Sequence, residues 1–576
     1  MKLPWLDRIG DWNPQLLREL NGRLKPRNVL IAIAISLFGQ FLLFQVFQSQ
    51  LPIPPEPGEY KYRISNQFCT GNPDYEGAKI YQCLRDPLGN FIINWQQWWL
   101  SVFVFLSFVG IFALLVIGTY MLIADLTNEE RKGSLNFIRL SPESTPRLLI
   151  GKMLGVPILV YLLTALALPL HLFAGLSAQI SLGEILAFYA VVVACCIFFY
   201  STALLYGLVS NWLGGFQAWL GAGAVLSFLW VTASLATYVP IYNPLAWARL
   251  IAPFDLIPHL YTSSLSYQNI DLQKLQWFYL PLGANGVFLL GFALLNYALW
   301  TYWVWQGLQR CFRNQNATIL SKSQSYLFTA CFTCSTLGFS LPGYTSPYLT
   351  NNPKEWLFQH LAVLCLFDLF LFLYLLAALL PHRQAMQDWA RYRREKVSTR
   401  KRFWNISVLQ DLVWHEKSPA VEAIAINVAI AVMPLVGLIL VSRSEIDAKI
   451  SAFFSIGLAA SLVIIYAALT QLILFMKAQN RIFWAIGTIG AALFLPPIIL
   501  GVLSIQPGTT AGFLWFFTAG APMVVLYPPS GLMSSMMVCF ALLGQWTIFG
   551  LLNLQLTRQL RIAGESATKA LLAGKS

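Results

Sequence analysis

Apolar runs of about 20 residues recur along almost the whole chain, each long enough to cross roughly 30 Å of hydrocarbon as a helix. They fall at about Val29–Phe47, Trp95–Ile123, Leu148–Phe173, Leu186–Leu208, Ala218–Ala236 and Leu282–Trp305. A second series follows at Tyr326–Leu341, Leu357–Leu380, Val421–Val441, Ile450–Met476, Ile482–Leu503 and Leu532–Leu554. Two segments are too broken by proline to span and too apolar to be simply wet: Val239–Tyr279, with Pro240, Pro244, Pro253 and Pro258, and the stretch around Gly512–Pro529. Irregular backbone survives at membrane depth only under a cover of protein or facing a water-filled cavity, so these read as re-entrant or surface-lying hairpins. Both series end span, broken hairpin, span. The pattern predicts an all-α polytopic membrane protein of about twelve transmembrane helices in two loosely repeated halves with re-entrant hairpins.

The polar stretches divide the chain. Residues 1–28 form an N-terminus with an interfacial elbow helix, 29–306 the first half, 307–325 a connector, 326–556 the second half and 557–576 a tail. Within the first half lie a polar loop at 48–94 and a charged loop at 125–147; the second holds a basic loop at 382–420. In the N-terminal piece, Leu16, Leu17 and Leu20 share a helical face, leaving Arg18 and Arg23 for lipid headgroups. Composition agrees with a bilayer protein, at 57% hydrophobic and 11% charged residues. The net charge of +13 sits at the ends of apolar spans, as in Arg310, Arg313 and the run from Arg391 to Arg402. That placement marks retained, inward-facing loops and contact with anionic lipid, and excludes nucleic acid as the partner. It puts both termini in the cytoplasm of a bacterial-type inner membrane. Trp95, Trp98 and Trp99 then open the second span at a membrane interface. The 48–94 loop, leaving the membrane through Pro52, Pro54, Pro55 and Pro57, lies outside, where Cys69 and Cys83 can form a disulfide.

The most charged segment of the first half is Thr127–Ser144, TNEERKGSLNFIRLSPES. Acids first (Glu129, Glu130) and bases later (Arg131, Lys132, Arg139) suit a short helix of its own, capped by Thr127 or Asn128, interrupted by Gly133 and stopped by Ser141-Pro142. The string Glu129-Glu130-Arg131 with Gly133 and Leu135, then Leu140-Ser141-Pro142 and Gly151-Lys152, resembles the cytoplasmic loop of type-2 ABC transporter permeases, the membrane subunits of ABC exporters. The match covers about 25 residues; Asn136 departs from it, standing where the family often has Glu. The resemblance implies that Glu129, Glu130, Arg131, Gly133, Ser141 and Pro142 form a coupling element, its charges pairing with a groove of a separate ATP-hydrolysing subunit. ATP and Mg would then be bound by that partner, with no cofactor on this chain. The bilayer and a second permease chain complete the candidate partners. In the second half, the turn Lys477–Arg481 is expected to take the equivalent place without the motif, and Leu412–Pro419 resembles the N-terminal elbow.

Little else carries chemistry. The five histidines lack metal-ligand spacing, and no catalytic signature appears. The closing Gly574-Lys575-Ser576 mimics a phosphate loop, but Lys569 stands where that loop needs its first glycine. Seven further cysteines, including Cys331 and Cys334, lie in or beside apolar spans. Asp368 sits near the middle of a span, either as a proton or cation relay or as an acid held neutral by burial or paired to another helix. Glu422, Asn427, Gln471, Gln545 and Asn553 read as helix-joining or helix-end residues. The expected function is the permease subunit of an ATP-driven exporter, without an ATPase site of its own. An ion-coupled carrier centred on Asp368, and a membrane enzyme or scaffold handling lipids or glycans, are the alternatives.

Overall fold

The computed structural model describes residues 10–53, 64–73, 80–87, 89–238, 243–255, 275–341, 352–397, 406–478, 480–507, 509–527 and 535–564. Among them, eleven helices are long and apolar enough to cross a bilayer, so the chain is an all-α polytopic membrane protein. The remaining expected span, Tyr326–Leu341, is a helix of 16 residues, Lys322–Leu337. At 1.5 Å per residue it reaches about 24 Å, short of a full hydrocarbon crossing. The chain divides into two compact units, the first made of Met1–Ile241, Ala248–Leu275 and Pro281–Arg313, the second of Tyr242–Trp247, Gln276–Leu280 and Asn314–Ser576.

Unit 1 opens with α1 (Pro14–Arg23) and α2 (Pro26–Ser49), each started by a proline whose missing N–H costs nothing in a first turn. Asn13 caps α1 by accepting from the Leu16 N–H at 2.9 Å. The spanning helix α2 exposes Leu30, Ile35, Leu37, Phe38 and Phe41, a face that only lipid covers favourably. A two-stranded ribbon, Ser65–Asn66 with Tyr81–Gln82, is stapled by the Cys69–Cys83 disulfide, as expected. Next comes α3 (Trp95–Arg131), one helix of 37 residues. Trp98 is packed inside the protein: it is 1% exposed, and its indole N–H donates to the Phe47 carbonyl at 3.0 Å. It pins the end of α2 to the start of α3.

Within α3, Ala113–Ile117 forms a π turn, in which one extra residue is accommodated. The Tyr200 hydroxyl donates to the Leu114 carbonyl there at 2.7 Å, and Gly118 lets the Tyr200 ring lie against the backbone. Unit 1 continues with α4 (Ser134–Arg139), α5 (Thr145–Gly155), α6 (Ile158–Ser177), α7 (Leu182–Val209), α8 (Gln217–Tyr238) and α9 (Gly286–Arg313). The first part of α3 packs on α6, its last part on α7 and α8, and α7 packs on α9. Ser181 and Glu184 form a capping box that starts α7.

Unit 2 runs α10 (Lys322–Leu337), α11 (Pro353–Leu379), α12 (Arg383–Val397), α13 (Ile406–Trp414), α14 (Val421–Val441), α15 (Ile446–Phe475) and α16 (Arg481–Val502). A 3-10 segment (Thr510–Phe517) and α17 (Ala521–Leu526) then form the expected broken hairpin, followed by α18 (Ser535–Ala563). Asn427, fully buried, accepts from Thr329 and donates to Ser325 and the Ala423 carbonyl, joining α14 to α10. Gln545 donates to the Phe516 carbonyl at 2.6 Å, and Gln471 accepts from the Ala420 N–H at 3.1 Å. Most of the first expected hairpin, with Pro240 and Pro258, lies outside the described residues, as do Pro54, Pro55, Pro57, Arg400, Lys401, Arg402 and Gly574-Lys575-Ser576.

Element order corrects the matching of the halves. In unit 1 the short helices α4 and α5 fall between the second and third long helices; in unit 2 the same place, counting α10 first, belongs to α12 and α13. The counterpart of the charged loop is therefore the basic stretch from Arg383 to Trp414, and the turn Lys477–Arg481 matches Asn211–Phe216 instead. The Leu412–Pro419 piece accordingly has no elbow position, because it precedes the third helix of its unit rather than the first.

Candidate docking element and its buried charge network

Thr127–Arg131 is the last turn of α3, not the start of a separate helix. No glycine or proline intervenes between Gly118 and Gly133, so nothing stops the span where its charges begin. Thr127 therefore does not cap; its hydroxyl donates to the Ile123 carbonyl at 2.8 Å and to Gln217 at 3.0 Å. The helix ends at Arg131, and two residues on Gly133 takes the left-handed conformation (φ 70°) that glycine alone adopts without strain. That turn redirects the chain into α4, whose Leu135 and Ile138 are buried. Ser141-Pro142 ends it, the Ser141 N–H donating to the Ile138 carbonyl at 3.2 Å.

This placement leaves Glu129 and Glu130 at the C-terminal end of a helix dipole, the unfavourable end for an acid. Cations from elsewhere compensate. Lys152, on α5, lies 2.6 Å from Asp125 and 2.7 Å from Glu129, with Glu19 of α1 at 3.8 Å. Arg23 bridges Asp125 at 2.6 Å and Glu19 at 3.2 Å, and Arg18 holds the second oxygen of Glu129 at 2.9 Å. Three acids and three bases thus close one neutral network joining α1, α3 and α5. Burial pulls the Lys152 ammonium toward deprotonation, but Asp125, Glu129 and Glu19 outweigh it, so its pKa is raised and it stays charged. The three carboxylates have oxygens close enough to hold a metal ion, but the Lys152 ammonium already occupies their centre. Arg18 and Arg23 are consequently drawn to protein acids rather than to lipid headgroups.

The helices approach closely enough for this because of Gly151 and Gly155, a small-xxx-small pair on α5. A Cβ on Gly151 would fall 2.6 Å from the Asn13 side chain, and one on Gly155 2.5 Å from Cβ of Glu19. Asn13 also donates to the Arg147 carbonyl at 2.6 Å.

The other motif residues have separate tasks. Glu130 pairs with Arg139 at 3.7 Å, and the Arg139 guanidinium lies 5.9 Å from the ring centre of Phe312 on α9. Burial lowers the Arg139 pKa, opposed by the Glu130 charge. Arg131 lies against Gly214 and Gly215, where a Cβ on Gly215 would fall 2.8 Å from its guanidinium. Arg313 donates to Thr145 at 3.1 Å, fastening the start of α5 to the end of α9. What the element turns outward is apolar: Phe137 is 78% exposed and Leu140 82%. Sequence reasoning noted Leu140 only as part of the motif and did not single out Phe137, although an aromatic within so polar a stretch was the available signal. Asp125 and Glu19 also went unremarked, although the i, i+4 spacings of Asp125 with Glu129 and of Glu19 with Arg23 were visible.

Asp368 and the Cys69–Cys83 pair do not join this site; Asp368 belongs to unit 2 and the disulfide to the 48–94 loop. Unit 2 has its own buried cation, Lys322, 2% exposed. It donates to the Leu412 carbonyl and Ser418 hydroxyl, each at 2.6 Å, and to the Pro419 carbonyl at 2.8 Å. Comparison with protein-family models, with curated proteins and with solved structures finds no match to this chain.

Proposed function

We propose that this protein is the membrane subunit of an ATP-driven exporter of the type-2 ABC class, with α4 as the element that docks on a separate ATP-hydrolysing subunit. The observation that carries this reading is the construction of α4. A short helix between two polar turns presents Phe137 and Leu140 outward, while its underside is fastened to two long helices, α3 through Glu130 and α9 through Phe312. Two exposed apolar side chains on a polar rim have no lipid to bury in and fit a pocket on another protein. Glu129 contributes from beneath, through Lys152 and Arg18, rather than by pairing with the partner. Force on α4 would pass through Arg139 to α9 and through the Lys152 network to α1 and α5, so that ATP-driven closure of the partner moves these helices together. The reading places the α4 end of unit 1 and both termini in the cytoplasm of a bacterial-type inner membrane.

The test is co-purification of the detergent-solubilised chain from its native host, with the eluate assayed for ATP hydrolysis. Wild type is expected to bring down an ATPase, and Phe137→Asp with Leu140→Asp to lose it while keeping its size-exclusion profile and unfolding temperature. An ATPase retained by the double variant would remove α4 as the docking element. Absence of an ATPase with wild type would remove the exporter reading.

A further inference from the structure

Unit 2 holds a partly open cavity of about 90 Å³ between α11, α14, α15 and the broken hairpin. Its walls are apolar, including Val428, Val432, Val463 and Met523, except at two points, Asp368 and Tyr466. Asp368 carries neither an ion pair nor a hydrogen bond among the described residues. Tyr466 is 5% exposed, and its hydroxyl has no partner among them either. A half-buried carboxyl and a buried hydroxyl without partners are each costly to the fold, and here both line one space.

The chemistry of the walls narrows what can fill it. Water filling would put molecules against apolar side chains, with only two protein groups to bond, where each buried water ordinarily makes about three hydrogen bonds. A calcium or magnesium ion would need six or more oxygen ligands, and one carboxylate with one hydroxyl falls well short. A zwitterionic lipid headgroup would bring a phosphate, and neither Lys nor Arg lines the cavity. A primary ammonium on a short alkyl group meets every demand: its N–H donors reach the Asp368 carboxylate and the Tyr466 oxygen, and its hydrocarbon lies along the valines. We propose that this cavity is a binding site for primary alkylamines in their protonated form, with Asp368 as the counter-ion and Tyr466 as the second acceptor. The site lies within unit 2, and its argument makes no use of the docking element.

The test is equilibrium dialysis of radiolabelled n-butylamine against the full chain in phosphatidylcholine nanodiscs at neutral pH, with empty nanodiscs subtracted. Saturable binding of one n-butylamine per chain is expected, with n-butanol, which matches it in length and lacks the charge, failing to compete. Asp368→Asn should weaken binding about tenfold or more and Tyr466→Phe by a smaller factor, as expected for losing a charged and a neutral hydrogen bond. Equal competition by n-butanol, or unchanged affinity in Asp368→Asn, would reduce the site to an apolar void and overturn the proposal. Should Asp368→Asn fail to fold, the amine-against-alcohol comparison on wild type decides by itself. Competition when phosphatidylethanolamine replaces phosphatidylcholine would shift the ligand to a lipid headgroup and overturn the assignment to a free amine.

Discussion

Replacing Lys152 by Met keeps the length and apolar stem of the side chain and removes one charge from the centre of the network. The six charged groups sum to zero in the wild type; in the variant they sum to minus one, in a place where Lys152 is 1% exposed. Asp125 keeps Arg23 and Glu129 keeps Arg18, so neither acid is left wholly alone. Removing one partner of a buried ion pair ordinarily costs about 3–5 kcal/mol. The retained arginines place the expected loss toward the lower end, about 3 kcal/mol, or more than a hundredfold in the unfolding equilibrium. Adding Glu129→Gln restores neutrality, leaving Asp125 and Glu19 on Arg23 and freeing Arg18, half exposed, to water. The double variant should therefore be more stable than Lys152→Met alone, with a coupling of about 1–3 kcal/mol. The assay is reversible unfolding of wild type, both single variants and the double in the same detergent, followed by tryptophan fluorescence. A cost for Lys152→Met below about 1 kcal/mol, the range of surface pairs, would refute the reasoning, as would strict additivity of the two substitutions.

Lys322 gives a pH dependence of definite sign. Burial pushes its pKa down to about 8, against opposing pulls from Glu422 and Asp411, so between pH 8 and 10.5 the unfolded chain holds a proton that the folded chain has shed. Stability from this group therefore rises with pH across that window, and wild type should gain on Lys322→Met between pH 8 and 10, measured by their difference in unfolding temperature. Gly155→Leu drives a side chain into Glu19 across the α1–α5 contact. It should cost about 1–3 kcal/mol and increase trypsin cleavage at Arg23, whereas Gly223→Leu, with open space at its Cβ position, should do neither.

The long apolar runs made the spans legible, because length and hydropathy are one-dimensional properties of the sequence. The places where expectation failed were those where a partner distant in the chain decides the outcome. Trp98 reads simply as an aromatic opening a span, and only the fold brings the Phe47 carbonyl, 51 residues away, to accept its N–H. Arg18 and Arg23 read as lipid contacts because Glu129 and Asp125 lie more than 100 positions on. The charged motif stood out in the sequence but its inside and outside did not: Glu129 is conspicuous in the sequence and buried in the fold, while Phe137 is inconspicuous and exposed. Which face of a short helix looks outward depends on what lies beneath it, here the Arg139 and Phe312 contact, and no local pattern encodes that. The match between the halves misled for a related reason. A short first helix, α10, shifts the count of spans, and the loops were then paired by apparent spacing instead of by order.

The π turn at Ala113–Ile117 sets the angular phase of everything that follows it in α3. One residue more or fewer in a helix turns all later side chains by about 100° about its axis. Asp125 and Glu129 meet Lys152 only in the phase that the extra residue provides, two to three turns upstream of them. A single-residue deletion there would leave a regular apolar span, its composition and membrane insertion nearly untouched, and swing both acids away from the lysine. The alignment of the charged joint at one end of the bundle is thus fixed by a miscount in its middle, where Tyr200 bonds the Leu114 carbonyl and keeps that miscount in place.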